Sequence, residues 1–159
     1  MRPADREGWK IISITAHREL RGSDRARIQS VMRLLVQKPS IDAIYFGGAR
    51  GGDTQALLTA AEHRVGIRPR LVVVCPDTAA AQPLSARQWF HLADEIVELK
   101  NTITKDDNYQ AYRTRNEYLV DACTSLVGFF NGKKDTGTGH AIAYAKSCGV
   151  VVYEIPIGR

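Results

Sequence analysis

Residues 42–62 read "DAIYFGGARGGDTQALLTAAE", and the change of pattern inside them decides the fold class. Asp42–Phe46 is a short β-rich apolar run of the length of a buried strand. Gly47, Gly48, Gly51 and Gly52 follow, with Arg50 at the tip. Glycine lacks a Cβ, so it suits a tight turn or a close approach of backbone to a ligand. Asp53 opens a helical pattern over 53–65, in which Leu57, Leu58 and Ala61 keep a 3–4 spacing. A carboxylate in that first turn is favourable towards the helix dipole. A strand that runs through glycines into a helix points free N–H groups at the turn, an arrangement suited to anions.

The same alternation continues along the chain. Strands are expected at Lys10–Thr15, Asp42–Phe46, Arg70–Cys75, Glu95–Leu99, Ser125–Phe130 and Val150–Ile155, and helices near 23–37, 53–65, 83–93, 107–122 and 138–148. Near-continuous runs such as "RLVVVC" mark strands covered on both faces, with helices as the crossovers. The expected fold is α/β: a Rossmann-like, doubly wound, mainly parallel sheet with helices on both faces. It occupies one domain over 1–159, with its core at roughly 10–155. Region 76–108 is the least regular, since "PDTAAAQPLSARQWF" and "KNTITKDDNYQAY" contain loop-like stretches, although "ARQWFHLADE" still carries a helical pattern.

Composition narrows the function classes. The 159 residues fit one domain able to bury a core without disulfides or metal. No apolar run approaches the ~20 residues of a membrane span, and "MRPADREGWK" is not followed by the apolar segment of a secretory leader. A cytoplasmic protein without a membrane partner is expected. Cys75, Cys123 and Cys148 then read as reduced thiols. No CxxC or HExxH occurs and the histidines are scattered, so neither a metal nor another cofactor is expected. The net charge of +5 is uneven: residues 1–70 hold 13 Lys and Arg against 7 Asp and Glu, and the remainder holds 9 against 10. That asymmetry favours an anionic partner.

In open α/β sheets ligands bind beyond the carboxyl ends of the strands. There this chain places Thr15-Ala16-His17-Arg18, Gly47–Asp53, Pro76-Asp77-Thr78 and Asn131–His140. "GGARGGDT" departs from a P-loop because Asp53-Thr54 stands where Lys-Ser/Thr is required; a carboxylate reverses the charge of a triphosphate cradle and excludes an NTPase. "GTGHAI" at 137–142 fails the dinucleotide pattern at Ile142. A second turn, "KKDTGTGHAIAYAK" at 133–146, offers Asp135 or Thr136 as a cap, and Gly137, Thr138 and Gly139 as a backbone and hydroxyl surface for phosphate. In "YRTRNEYLVDACTSLVGFF", 112–130, Arg115 shares a helical face with Leu119, next to Asn116. Each feature also has a structural reading: a turn, a cap, an ion pair.

Taken together, "FGGARGGDTQALLTAA", "RTRNEYLVDACTSLVGFFNG" and "DTGTGHAIAYAKSCGVVVYEI" resemble the SLOG superfamily. This Rossmann-like group includes the DNA-processing protein DprA and the LONELY GUY phosphoribohydrolases. The likeness is greatest to its small stand-alone bacterial and phage members, and "ITAHREL" resembles their opening stretch. The resemblance implies a nucleotide or nucleotide-derived ligand on the rim, contacted by Arg18, Gly48, Arg50, Gly51, Asp53, Arg115, Asn116, Gly137 and Thr138, and a homo-oligomer. Gly47, Gly52 and Gly139 complete the candidate set as backbone donors. The chain lacks the PGGxGTxxE of the phosphoribohydrolases: "KDTGTGHAI" has His140 and Ala141 where acids are expected.

The expected function is therefore binding of a nucleotide or nucleotide-derived small molecule. One alternative is N-glycosidic hydrolysis of a nucleoside monophosphate, for which Asp53, Asp135, His17 and His140 are the rim candidates. Another, less favoured, is DprA-like binding of single-stranded nucleic acid, with Trp89, Phe90, Tyr109 and Tyr112 able to stack on bases.

Overall fold

A computed structural model describes residues 8–101 and 108–158. It contains six strands, β1 (Ile11–Ala16), β2 (Ala43–Gly47), β3 (Arg70–Cys75), β4 (Glu95–Glu98), β5 (Ser125–Phe130) and β6 (Val151–Pro156). Five helices connect them: α1 (Asp24–Val36), α2 (Gly52–His63), α3 (Leu84–Arg87), α4 (Asn108–Ala122) and α5 (Gly137–Ser147). All pairings are parallel and the strand order is β4-β3-β2-β1-β5-β6. The fold is the expected α/β, Rossmann-like one. Of the stretch "KNTITKDDNYQAY", residues 102–107 lie outside the described residues and 108–112 open α4.

Two apolar layers explain the order. Ile28 and Met32 of α1, Ala56, Leu57 and Ala60 of α2, and Phe90 pack on one face through Ile12, Ile14, Ile44, Phe46 and Val73. Leu119, Val120, Ala141, Ile142 and Ala145 of α4 and α5 pack on the other through Ile11, Tyr45, Val72, Val74 and Leu126. Alternate residues of each central strand serve opposite layers, so β1, β2, β3 and β5 are buried almost throughout. Helix α4 carries the chain from the β4 edge across the second face to β5, next to β1. The winding reverses between β1 and β5.

Two sequence expectations are corrected. The helix expected at 83–93 is broken into the single turn of α3 and a 3-10 turn at Phe90–Leu92. The chain tightens there to deliver Asp94, whose amide bonds the Leu71 carbonyl (2.8 Å) and whose carboxylate accepts from the Leu71 amide (2.8 Å) and Arg64 (2.6 Å). The run "VVVYEI" is not covered on both faces: β6 is an edge strand that leaves Val151 and Tyr153 more than half exposed. Among the described residues no helix is long and apolar enough to cross a membrane.

Candidate functional site

The reversal point opens into a cavity of about 510 Å³ beyond the carboxyl ends of β1 and β5. Its walls come from the end of β1 and the segment after it (Thr15–Glu19), from Ala49 and Asp53 around the start of α2, from Tyr112, Arg115 and Asn116 of α4, from Asn131, Lys133, Asp135 and Thr136 before α5, and from Gly137 and Thr138 at its start. Ile157 and Gly158 close it from below. They are held there because the Gly158 amide donates to Asp24 (2.9 Å), which also accepts from the Arg21 amide (2.7 Å). A cavity of this size suits a small ligand.

Of the twelve residues expected at the site, Arg18, Asp53, Arg115, Asn116, Gly137 and Thr138 share this wall. Gly47, Gly48, Arg50, Gly51, Gly52 and Gly139 are not among its lining residues. The first-turn glycines are occupied by the protein itself. The amide of Gly48 donates to Val74 (3.1 Å) and that of Gly52 to His17 (2.9 Å). Gly51 has φ +80°, and a Cβ there would run into the Arg18 carbonyl. These glycines let the α2 turn lie against the loop after β1. Arg50 is about half exposed and pairs with Glu19 (2.6 Å). Gly139 packs against the Lys134 carbonyl, where a Cβ would come within 2.5 Å.

Arg115 is only 6% exposed. Its Nε donates to Asn116 Oδ1 (2.9 Å), and Asn116 Nδ2 donates to the Gly137 carbonyl (3.2 Å), so Asn116 ties the guanidinium to the start of α5. Asn116 thus uses both ends of its amide within the protein. Tyr112 lies between two cations, with Arg18 Cζ 4.7 Å and Arg115 Cζ 5.8 Å from its ring centre. At α5, Thr136 Oγ1 accepts from the Gly139 amide (3.1 Å) and donates to the Lys133 carbonyl (2.7 Å). The amides of Gly137 and Thr138 remain without an acceptor among the described residues. Thr15 Oγ1 donates to Thr138 Oγ1 (3.2 Å), which joins α5 to the end of β1.

Asp53 and Arg115 both stand against Gly47. A Cβ on Gly47 would stand 2.7 Å from Asp53 Oδ2 and 3.1 Å from Arg115 Nη1. Asp53 is 5% exposed and its Oδ1 is buried without a hydrogen-bond partner. Burial raises its pKa to about 7 against the opposing pull of Arg115, the Ala49 and Ala16 backbone and Arg18. Burial draws the Arg115 guanidinium down, while Asp53 draws it up; arginine keeps its charge regardless.

His17 behaves as a strut. Its Nε2 accepts from the Asn131 amide (3.0 Å) and its ring stacks on Phe130, with centroids 5.9 Å apart. An accepting Nε2 requires the neutral ring. Burial lowers the pKa accordingly, outweighing Asp24, and Lys133 lowers it further. His140 lies outside the cavity wall, with its Nε2 buried and unpartnered, 4.0 Å from Glu117. Of the four aromatics named for stacking, Tyr112 lines the cavity, Phe90 is buried in the core, Trp89 packs partly buried against it, and the side chain of Tyr109 lies outside the described residues. Sequence reading did not anticipate Arg21, Ile157 or Gly158 at the site. Among the described residues no cluster of three or more His, Cys, Asp or Glu is placed to hold a metal ion.

The sheet order and the cavity at its reversal point define a Rossmann-like domain with a ligand-sized site. Solved structures similar in fold include DNA processing protein A (DprA) from Streptococcus pneumoniae, with a TM-score of 0.73 and 16% identity over 94% of this chain and 51% of that one. DprA from Helicobacter pylori, studied for its single-stranded DNA binding mode, gives 0.73 and 15% over 94% and 66%. The molybdenum cofactor binding protein from Rippkaea orientalis gives 0.68 and 13% over 94% and 78%. The fold is therefore DprA-like, and the chain spans about half to two thirds of the length of the two DprA chains. No family model matches the sequence. No curated protein matches it either.

Proposed function

We propose that this domain binds a nucleotide or nucleotide-derived small molecule in the cavity between β1 and β5. The observation that carries the reading is Arg115: a buried guanidinium fixed by Asn116 beside the open amides of Gly137 and Thr138. An arginine and a helix N-terminus directed at one volume suit phosphate. Arg18, stacked on Tyr112, supplies a second cation. Asp53 opposes a phosphate placed directly on α2, which assigns it to a hydroxyl or base group. The molybdenum cofactor binding protein and the Helicobacter pylori DprA, studied for its single-stranded DNA binding mode, share the fold and are consistent with a binding role.

Calorimetry with adenosine 5′-monophosphate tests this reading. Arg115→Ala is expected to weaken binding by roughly 1.5–3 kcal/mol, the value of a charge-assisted hydrogen bond. Unchanged affinity in a folded variant removes Arg115 from the ligand and the reading with it.

A second reading is N-glycosidic hydrolysis, favoured by one observation: Asp53 is a carboxyl in the cavity whose pKa of about 7 suits a general acid or base. Incubation with a panel of nucleoside monophosphates separates the two. Free base released by the wild type and abolished by Asp53→Asn establishes the enzyme. Binding without free base leaves the first reading.

A further inference from the structure

We infer that filling the β1–β5 cavity with a phosphate is coupled to protonation of Asp53, so that the site takes up a proton from solvent as the anion enters. This rests on the phosphate reading of Arg115 and adds a pH control to the same site.

The geometry has three parts. Asp53, at the start of α2, and Arg115, on α4, are both buried and both stand against the side of Gly47 where a Cβ would project. Arg115 donates its Nε to Asn116 and makes no ion pair among the described residues, so its outer nitrogens remain for a ligand. Asp53 Oδ1 is buried with no hydrogen-bond partner. The carboxylate is thus supported by the field of Arg115, which it does not grip, and by hydrogen bonds from the Ala49 and Ala16 backbone.

The groups facing Asp53 besides Arg115 come from several elements. From the loop after β1 come Arg18, itself stacked on Tyr112 of α4, and the Ala16 backbone. From its own turn comes the Ala49 backbone. From β3, Cys75 is a neutral thiol, pushed up to about 12 chiefly by burial. Across the cavity stand His17, neutral by its bond to Asn131, and Lys133 and Asp135.

A phosphate dianion on Arg115 and Arg18 cancels the charges that hold Asp53 ionised and adds a like charge nearby; both raise a carboxyl pKa. The proton that Asp53 gains from solvent converts it from a repelling carboxylate to a donor for a ligand oxygen. No covalent bond forms or breaks in the ligand. Phosphate affinity then falls as pH rises above the range in which Asp53 titrates, by up to about tenfold per pH unit.

The test is calorimetric titration of adenosine 5′-monophosphate and of inorganic phosphate in buffers of different ionisation enthalpy. Both are run at about pH 8, above the monoester's second pKa of ~6, and the proton that inorganic phosphate itself exchanges, its second pKa being roughly one unit higher, is subtracted. The expected result is uptake of up to one proton per site in the wild type and in Arg50→Ala, and none in Asp53→Asn. If Asp53→Asn does not bind, the Asp53 carboxyl carbon resonance of the wild type replaces it, and its midpoint must move up when ligand is added. Binding without uptake, uptake that persists in Asp53→Asn, or a midpoint that stays put overturns the coupling and leaves the phosphate reading intact. Failure of both probes to bind overturns both.

Discussion

Arg115 is an arginine that the fold buries with no carboxylate in contact among the described residues, and Asp53 is the carboxyl nearby. Both residues were singled out in the sequence: Arg115 mainly through the family resemblance of its motif, and Asp53 for standing where a P-loop has lysine. What the sequence could not show is that Gly47 makes room for both of them. Gly47→Ala is expected to displace Asp53 or Arg115, because its Cβ would come within 2.7 Å of Oδ2; calorimetry should then report weaker nucleotide binding. Arg50 looked equally exposed to ligand in the sequence, since pattern alone cannot tell a turn tip that faces a cavity from one that faces out. It pairs with Glu19 at the surface, where such pairs contribute about 0–1 kcal/mol. Arg50→Ala should therefore shift affinity by less than Arg115→Ala in the same titration.

Asp53 also bears on the stability of the fold. Its folded pKa lies above the unfolded value of 3.8, near 7, so between those values the folded state binds more protons than the unfolded state. Stability is then lost as pH rises through that window. Asp53→Asn removes the effect: its Tm should exceed that of the wild type at pH above about 7 and the gap should close towards about pH 4. A constant gap across the window would show that Asp53 does not titrate there.

At the level of elements, the two glycine turns do different work. The α5 turn keeps its first amides open, whereas the α2 turn closes against the backbone after β1. Gly51 and Gly66 separate turn geometry from packing, since both have positive φ. A Cβ at Gly66 meets nothing within 4 Å, while one at Gly51 meets Arg18. Gly66→Ala should cost only the backbone strain, roughly 1–2 kcal/mol. Gly51→Ala should cost more and also weaken nucleotide binding by moving the Arg18 loop; equal melting temperatures for the two variants would contradict this. The strands were legible to within a residue because their β-branched runs are continuous. The helix expected at 83–93 was not, because the need to seat Asp94 on Leu71 is a tertiary contact that overrides local pattern.

Across the whole molecule, the class of fold was readable but the strand order was not, since nothing local records which face each crossover takes. The cavity depends on that order: it exists because α4 returns the chain to place β5 beside β1. Its floor joins Gly158 to Asp24, 134 positions apart, a contact no spacing rule suggests. The basic excess in residues 1–70 leaves nucleic acid as a competing partner, and salt separates the cases. Affinity for single-stranded DNA across many phosphates falls steeply with salt, whereas a single nucleotide site responds weakly. The most direct test of the central claim is an amide-resonance titration of the isotopically labelled domain with adenosine 5′-monophosphate. The account predicts saturable shifts at Gly137 and Thr138 together with the Arg115 side chain, lost in Arg115→Ala. Shifts confined to other surfaces, or none at millimolar ligand, would contradict it.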